Sequence, residues 1–407
     1  MAGRIMSKSP SPPVAIFNSV DALETAVRPA IAVRFGEDYE RAAGFLLEYK
    51  QPSATFNAYR REIERLCLWA WRIEARSILE LTREDITRLV EFLRSPPRSW
   101  IGTKTVARVR RDGEPNPDWR PFVVSVKKAR AREGAIASVD RYEASQAQLK
   151  ATMAILSSFY SMMVNDGIIP ANPVIQIRQK SRFIVKSTEP APVRRLSRLQ
   201  WEYVLDTAED LSAREAERYE RSLFILHCLY SMYLRVSELV PGEHGTPVMG
   251  NFRKDMDQNW WFHVIGKGKK ARRIVVSDDM LDALRRYRTH LGRSPLPMAD
   301  DTDPLLPKAK GRGAIASTRQ VRALVQEMFD RAFERMRADG LEDDALELKA
   351  SSAHWLRHTG ISEDVRIRPR EHVRDDAGHA SMATTDRYVD SDMRERHASG
   401  KKKMVRE

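Results

Sequence analysis

The stretch Lys-Ser-Thr-Glu-Pro-Ala-Pro-Val-Arg-Arg at 186–195 constrains this chain more than any other. It is polar and carries two prolines, so it supports neither a helix nor a central strand and reads as an interdomain linker. Before it lies a strong helical stripe through Leu149, Met153, Leu156, Tyr160, Met163 and Val164, stopped by Asn165-Asp166-Gly167 and the turn at 168–173. After it Ser197 stands three residues ahead of Gln200, the spacing of a capping box that opens a new helix. A chain of 407 residues is too long for one ordinary core, so two domains flanking this break are expected.

The expected organisation is a loose arm over 1–38 with one short helix near Val20 to Val27, a small all-helical domain over 39–184, the linker at 185–196, a second domain over 197–390 and a polar tail over 391–407. In the helical domain Phe56, Tyr59, Ile63, Leu66 and Ala70 fall on one stripe, and Thr82 opens a helix that turns Ile86, Leu89, Val90 and Leu93 inward. Helical order resumes at Val139. Between them an insertion at 95–135 interleaves Trp100 and Trp119 with Lys104, Arg108, Arg110, Arg111, Arg120, Lys127, Lys128, Arg130 and Arg132. It reads equally as a solvated loop or as a contact for a phosphate backbone.

Lys plus Arg number 69 against 56 Asp plus Glu, a formal charge of +13 that favours a polyanionic partner. No apolar run approaches the roughly 20 residues of a membrane span. The opening Met1–Lys8 lacks the apolar core of a signal peptide, so a cytoplasmic chain without membrane contact is expected. Cys67 and Cys228 lie far apart inside apolar helical patterns and read as reduced, buried thiols. With neither a metal-ligand cluster nor a phosphate-binding glycine loop, chemistry here is expected to need no metal and no nucleotide cofactor.

The second domain carries the chemistry-bearing residues. A core helix through Leu223, Leu226, Leu229 and Tyr230 leads to Arg235, with Glu238 placed to hold its charge. The β-rich runs 260–265 and 272–276 flank Gly266-Lys267-Gly268, a hairpin turn with Lys267 between two glycines. Ser352 is placed to cap a helix that sets His354 and Arg357 on one face, a pair of donors suited to an oxyanion. Gly378 reads as a helix C-terminal glycine presenting His379, and a short helix from Met382 brings Tyr388 back toward the same region. A phenol with a pKa of about 10 attacks only if its neighbours take its proton or stabilise its anion. Taken singly, each residue reads as well as a capping, paired or solvated side chain.

Taken in order, Arg235, Lys267, His354, Arg357, His379 and Tyr388 resemble the active-site set of the tyrosine recombinases of the phage integrase family. The resemblance rests on Leu-Arg-Val-Ser-Glu-Leu, Gly-Lys-Gly-Lys-Lys-Ala-Arg, His-Trp-Leu-Arg-His-Thr, Gly-His-Ala-Ser and Thr-Thr-Asp-Arg-Tyr, and covers about 197–390. It implies a mainly α fold with a small β-sheet, a helical core-binding domain followed by a mixed α/β catalytic domain. It further implies a site-specific recombinase of a mobile element in a bacterial, nucleoid-associated setting. Its partners would be double-stranded DNA, further copies of itself in a tetramer on paired sites, and DNA-bending accessory proteins. Arg235 and Arg357 would bind the scissile phosphate, His354 and His379 would add hydrogen bonds, with His354 taking the tyrosine proton. Tyr388 would form a 3′-phosphotyrosyl link and Lys267 would protonate the leaving 5′-oxygen. The alternatives are a type IB topoisomerase and a catalytically silent DNA-binding protein of the same fold. Three departures from the family pattern stand out: Tyr233 where a small glycine is usual, the charged residues Glu363, Asp364, Asp375 and Asp376 between Thr359 and Gly378, and the basic insertion at Arg98 to Arg132 that enlarges the helical domain.

Overall fold

The computed structural model describes residues 10–25, 30–50, 53–124, 126, 134–175, 177, 194–243, 245–266, 270–389 and 400–401. The chain divides into two compact units, Met1–Thr188 and Glu189–Glu407. Most of the expected linker and tail lies outside the described residues.

The first unit is helical: α1 (Val20–Glu24), α2 (Gly36–Glu48), α3 (Ser53–Trp69), α4 (Arg83–Arg94) and α5 (Gln146–Asn165). Thr82 and Asp85 form a reciprocal capping box, and α4 buries Ile86, Leu89, Val90 and Leu93 as its periodicity requires. Helix α5 starts at Gln146 behind the cap Ser145, later than expected, because Val139–Arg141 makes only a single 3-10 turn.

Two other expectations for this unit are corrected. The segment around Ile16 and Phe17 is no loose arm: both side chains are buried, and their backbone N–H groups donate to Glu64 on α3 at 2.7 and 3.3 Å. Nor is the insertion simply a solvated loop. Trp100 and Trp119 are buried, and the insertion is closed by a short parallel pairing of β1 (Ile101–Gly102) with β2 (Phe122–Val123). Buried charges on α3 hold it in place, since Arg65 donates to the Pro121 carbonyl at 3.0 and 2.7 Å and Glu64 pairs with Arg108. Lys104, Arg110 and Arg111 remain exposed, whereas Lys127, Lys128, Arg130 and Arg132 lie outside the described residues.

The second unit opens at the expected capping box, Ser197 with Gln200, on α6 (Arg198–Arg214). Helix α7 (Ala216–Ser231) is its central element, burying Leu223, Phe224, Ile225, Leu226, Cys228 and Leu229. Around it pack α8 (Asp278–His290), α9 (Thr318–Ala338) and α11 (Ala353–Asp364), with α10 (Glu342–Lys349) against α9. Stacking of Phe224 on Tyr287 at 4.3 Å and of Trp201 on Tyr230 at 4.2 Å ties α7 to its neighbours. A three-stranded antiparallel sheet of β3 (Phe252–Lys254), β4 (Trp260–Ile265) and β5 (Ala271–Val275) completes the unit. Ile265 faces Ala271 at the expected hairpin, whose turn residue Lys267 lies outside the described residues. The chain closes with α12 (Arg370–Ala377) and α13 (Met382–Asp386).

Among the described residues no helix is long and apolar enough to cross a membrane. Both cysteines are free and buried, and burial pushes each thiol well above its ordinary pKa.

Candidate active site

Helix α7 stops at Ser231, and the chain reverses through Tyr233, a non-glycine residue at φ 50°. That left-handed conformation costs an L-residue about 1–2 kcal/mol. It points the Tyr233 carbonyl at the Arg357 guanidinium, which donates to it through Nη1. The second fork nitrogen, Nη2, donates to the Ala377 carbonyl at 2.5 Å. Arg357 is thus held between two backbone carbonyls and is 2% exposed, with three of its five N–H donors left for another acceptor.

Arg235 follows in extended conformation ahead of the 3-10 turn Val236–Glu238. Glu238 accepts from the Arg235 backbone N–H at 2.8 Å and from its Nη1 at 3.0 Å, the pairing expected from the sequence. It also accepts a bidentate pair from Arg272 at 2.9 and 2.8 Å. Arg272, on β5, escaped the sequence reading. Its side chain is 10% exposed and also donates to the Asp376 carbonyl at 3.0 Å. Two glycines make room for it: a Cβ on Gly266 would stand 2.8 Å from Arg272 Nη1, and one on Gly378 would stand 2.9 Å from its Cδ. Gly378 also sits at φ 63° as the C-terminal glycine of α12, as expected.

Ser352 occupies the N-cap of α11 without making the side-chain bond expected of it. His354, one turn before Arg357, is exposed. The unexpected participant is His358, whose Nδ1 lies 2.6 Å from the Tyr388 hydroxyl, while its ring meets His354 edge-on at 4.1 Å. Its signal in the sequence was its spacing, four residues beyond His354 and therefore on the same helical face. On the other side His379 stacks on the Tyr388 ring at 5.6 Å, with its Nδ1 3.0 Å from the Thr385 hydroxyl.

Arg235, His379 and Arg272 line an open cleft of about 1080 Å³. The structure therefore brings Arg235, His354, Arg357, His379 and Tyr388 into one region, with Arg272 and His358 added. Lys267 lies outside the described residues.

The electrostatics agree. Burial, aided by Arg235, disfavours the Arg357 cation. Burial with the cations Arg357, Arg235 and Arg272 lowers His379 to about 4, and burial with His354 and Arg357 lowers His358 to about 4. His354, though its side chain reaches solvent, is lowered by partial desolvation and by Arg357 and Arg235. Burial raises the Tyr388 phenol against the opposing pull of Arg357, Arg387 and Arg235. At neutral pH the site holds neutral imidazoles and a protonated phenol around a concentration of positive charge, an arrangement suited to an anion.

No family model matches the chain. It is 27% identical over 255 residues to the tyrosine recombinase XerC of Thermodesulfovibrio yellowstonii, covering 60% of this chain and 70% of that one. The XerD recombinase of Brucella abortus is 27% identical over 247 residues, covering 58% of this chain and 69% of that one. Among solved structures, the XerH site-specific recombinase in a post-cleavage complex with its palindromic difH substrate superposes with a TM-score of 0.54 at 14% identity, covering 97% of this chain and 99% of that one. The chain is therefore similar in sequence to named tyrosine recombinases and shares the fold of a solved one. A tyrosine recombinase of this kind is an enzyme, and its fold is the mainly α architecture with a small β-sheet that the resemblance implied.

Proposed function

We propose that this tyrosine recombinase cuts and rejoins DNA at specific sites through a 3′-phosphotyrosyl intermediate. The observation that carries the reading is the Tyr388 hydroxyl held 2.6 Å from an imidazole nitrogen, within a site whose arginines surround it with positive charge.

Tyr388 Oη attacks the scissile phosphorus, its P–O bond to the 5′-oxygen breaks, and the strand is left joined to the tyrosine through its 3′-phosphate. Arg235 and Arg357 bind the non-bridging oxygens, whose charge grows in the transition state. Arg357 needs little reorganisation, because two carbonyls already fix the plane of its fork. His354 and His379 donate further hydrogen bonds. His358 in its Nε2–H tautomer accepts the phenol's hydrogen bond at Nδ1 and so orients the nucleophile; that contact favours it over His354 as the group next to the departing proton. Lys267 protonates the departing 5′-oxygen. The covalent link conserves the phosphodiester bond energy, so rejoining to a new partner strand consumes no nucleotide. A tetramer on paired sites of a mobile element is the assembly and setting that follow from the family resemblance.

The test is trapping on a suicide duplex carrying the cognate site, with wild type compared with Tyr388→Phe. A protease-sensitive covalent adduct formed by wild type and lost in the variant, with DNA binding retained, is the expected result. Specific binding by the wild type without any adduct would overturn the assignment in favour of a silent DNA-binding protein. Relaxation of supercoiled DNA without exchange between sites would favour a topoisomerase.

A further inference from the structure

We propose that Tyr233, Asp364, Arg368 and Asp376 form a positioning network that sets the two arginine centres of the cleavage site, and that Tyr233 occupies a glycine-like position because its hydroxyl is needed there. The inference rests on the cleavage reading above.

The network runs without a break. The buried Tyr233 hydroxyl donates to the Asp364 carboxylate on α11 and accepts from Arg368 Nη1 at 3.0 Å. Arg368 joins Asp364 at 2.9 Å to Asp376 at 2.6 Å, so one guanidinium ties the end of α11 to the end of α12. Asp376 is 4% exposed, and its carboxylate also accepts from the Val275 backbone N–H at 3.4 Å, which attaches α12 to the edge of β5.

What the network pins is a set of backbone carbonyls. The carbonyls of Tyr233 and Ala377 hold the two ends of the Arg357 fork, and that of Asp376 holds Arg272. Arg272 in turn shares Glu238 with Arg235. A shift at Arg368 therefore reaches both arginine centres through peptide units, which transmit displacement stiffly. The Tyr233 ring also belongs to the small apolar cluster of Ile361, Val365, Val373, Ala377 and Tyr388, so it shares a packed cluster with the nucleophile.

This accounts together for Tyr233 and for two of the unexpected charges, Asp364 and Asp376. A glycine reaches φ 50° freely but leaves the turn unanchored, whereas a tyrosine must be held there. Asp364 and Arg368 hold it, and the buried Asp376 is tolerable because Arg368 pairs with it. Two of the charges that look misplaced in the sequence, Asp364 and Asp376, are thus the partners of the tyrosine and of the arginine that holds it.

The test uses the full chain with Tyr233→Phe, Asp364→Asn and the double variant. Single-turnover cleavage of a nicked suicide duplex is measured at saturating DNA, alongside DNA affinity and melting temperature. Tyr233→Phe keeps the ring and its packing. Misplacing a fork by a fraction of an ångström is expected to slow cleavage about tenfold or more, with DNA affinity within about twofold. The double variant is expected to be no slower than the worse single variant, the mark of one shared network. Wild-type cleavage by Tyr233→Phe, or losses that multiply in the double variant, would overturn the network while leaving the recombinase reading intact. Absence of a wild-type adduct would fell that reading and this inference with it.

Discussion

Replacing Glu238 by Gln tests the electrostatic logic of the site most severely. The carboxylate is 4% exposed and accepts four hydrogen bonds, two from Arg272, one from the Arg235 side chain and one from the Arg235 backbone. Burial pushes its pKa up, but the hydrogen bonds and charges of Arg272 and Arg235 more than offset this and hold it below the ordinary value. An amide of the same shape cannot replace the charge, and its NH₂ would face an arginine donor. Removing one partner of a buried ion pair costs about 3–5 kcal/mol, which for a unit of this size corresponds to a fall in melting temperature of about 6–20 °C. Arg272, Arg235 and Arg357 would then lie near one another without their counter-ion, so the variant should regain stability when sulfate or phosphate is added, more than wild type does. The assay is thermal melting at fixed ionic strength in chloride and in sulfate, followed by adduct formation. A variant that melts within about 2 °C of wild type in chloride, or shows no preferential gain in sulfate, would refute the claim that Glu238 organises the cations.

The remaining predictions are briefer. Arg235→Ala and Arg357→Ala should bind DNA yet cleave about 10²–10³-fold more slowly; near-normal trapping by either variant would remove that arginine from the site. His358→Ala should slow adduct formation about two- to tenfold through loss of one hydrogen bond to the nucleophile, and an unchanged rate would return the proton to His354. His358 and His379 have folded values near 4 against an unfolded value of about 6.5. Between those pH values the unfolded chain binds more protons, so stability present above about pH 6.5 should drain away as pH falls toward 4. A melting temperature flat from pH 7 to 5 would contradict this. In the insertion, Arg110→Ala and Arg111→Ala should each lower the salt slope of DNA binding by about one. Arg108→Ala should instead destabilise the fold, because Arg108 is committed to buried Glu64 and stacks on Trp119 at 4.7 Å.

Much of the site was legible because its residues sit where local rules operate. His354 and Arg357 lie one turn apart on α11, Gly378 ends α12, and Glu238 follows Arg235 at a pairing distance. Such relations span a few residues, and periodicity and capping report them. Arg272 and His358 were missed for the opposite reason. Arg272 is an ordinary basic residue of an edge strand until the fold brings Glu238, 34 positions away, and the Asp376 carbonyl, 104 positions away, against it. His358 reads as a helical histidine until Tyr388, 30 positions on, returns to it.

The insertion shows the same division. Its basic residues read equally as a solvated loop or a phosphate contact, whereas Trp100 and Trp119 went inward because α3 supplies buried partners for the backbone and for Arg108 that no local pattern announces.

By itself, then, the sequence determined most helices, the caps at Thr82 and Ser197, the hairpin strands and the order of the reactive side chains, since each depends on neighbours within a turn or two. Tertiary structure alone decided which charges meet, which carbonyls face Arg357, and why a tyrosine stands at a left-handed turn. Those outcomes depend on close packing between segments far apart in the chain, where burial makes every unpaired polar group costly and so selects the partners.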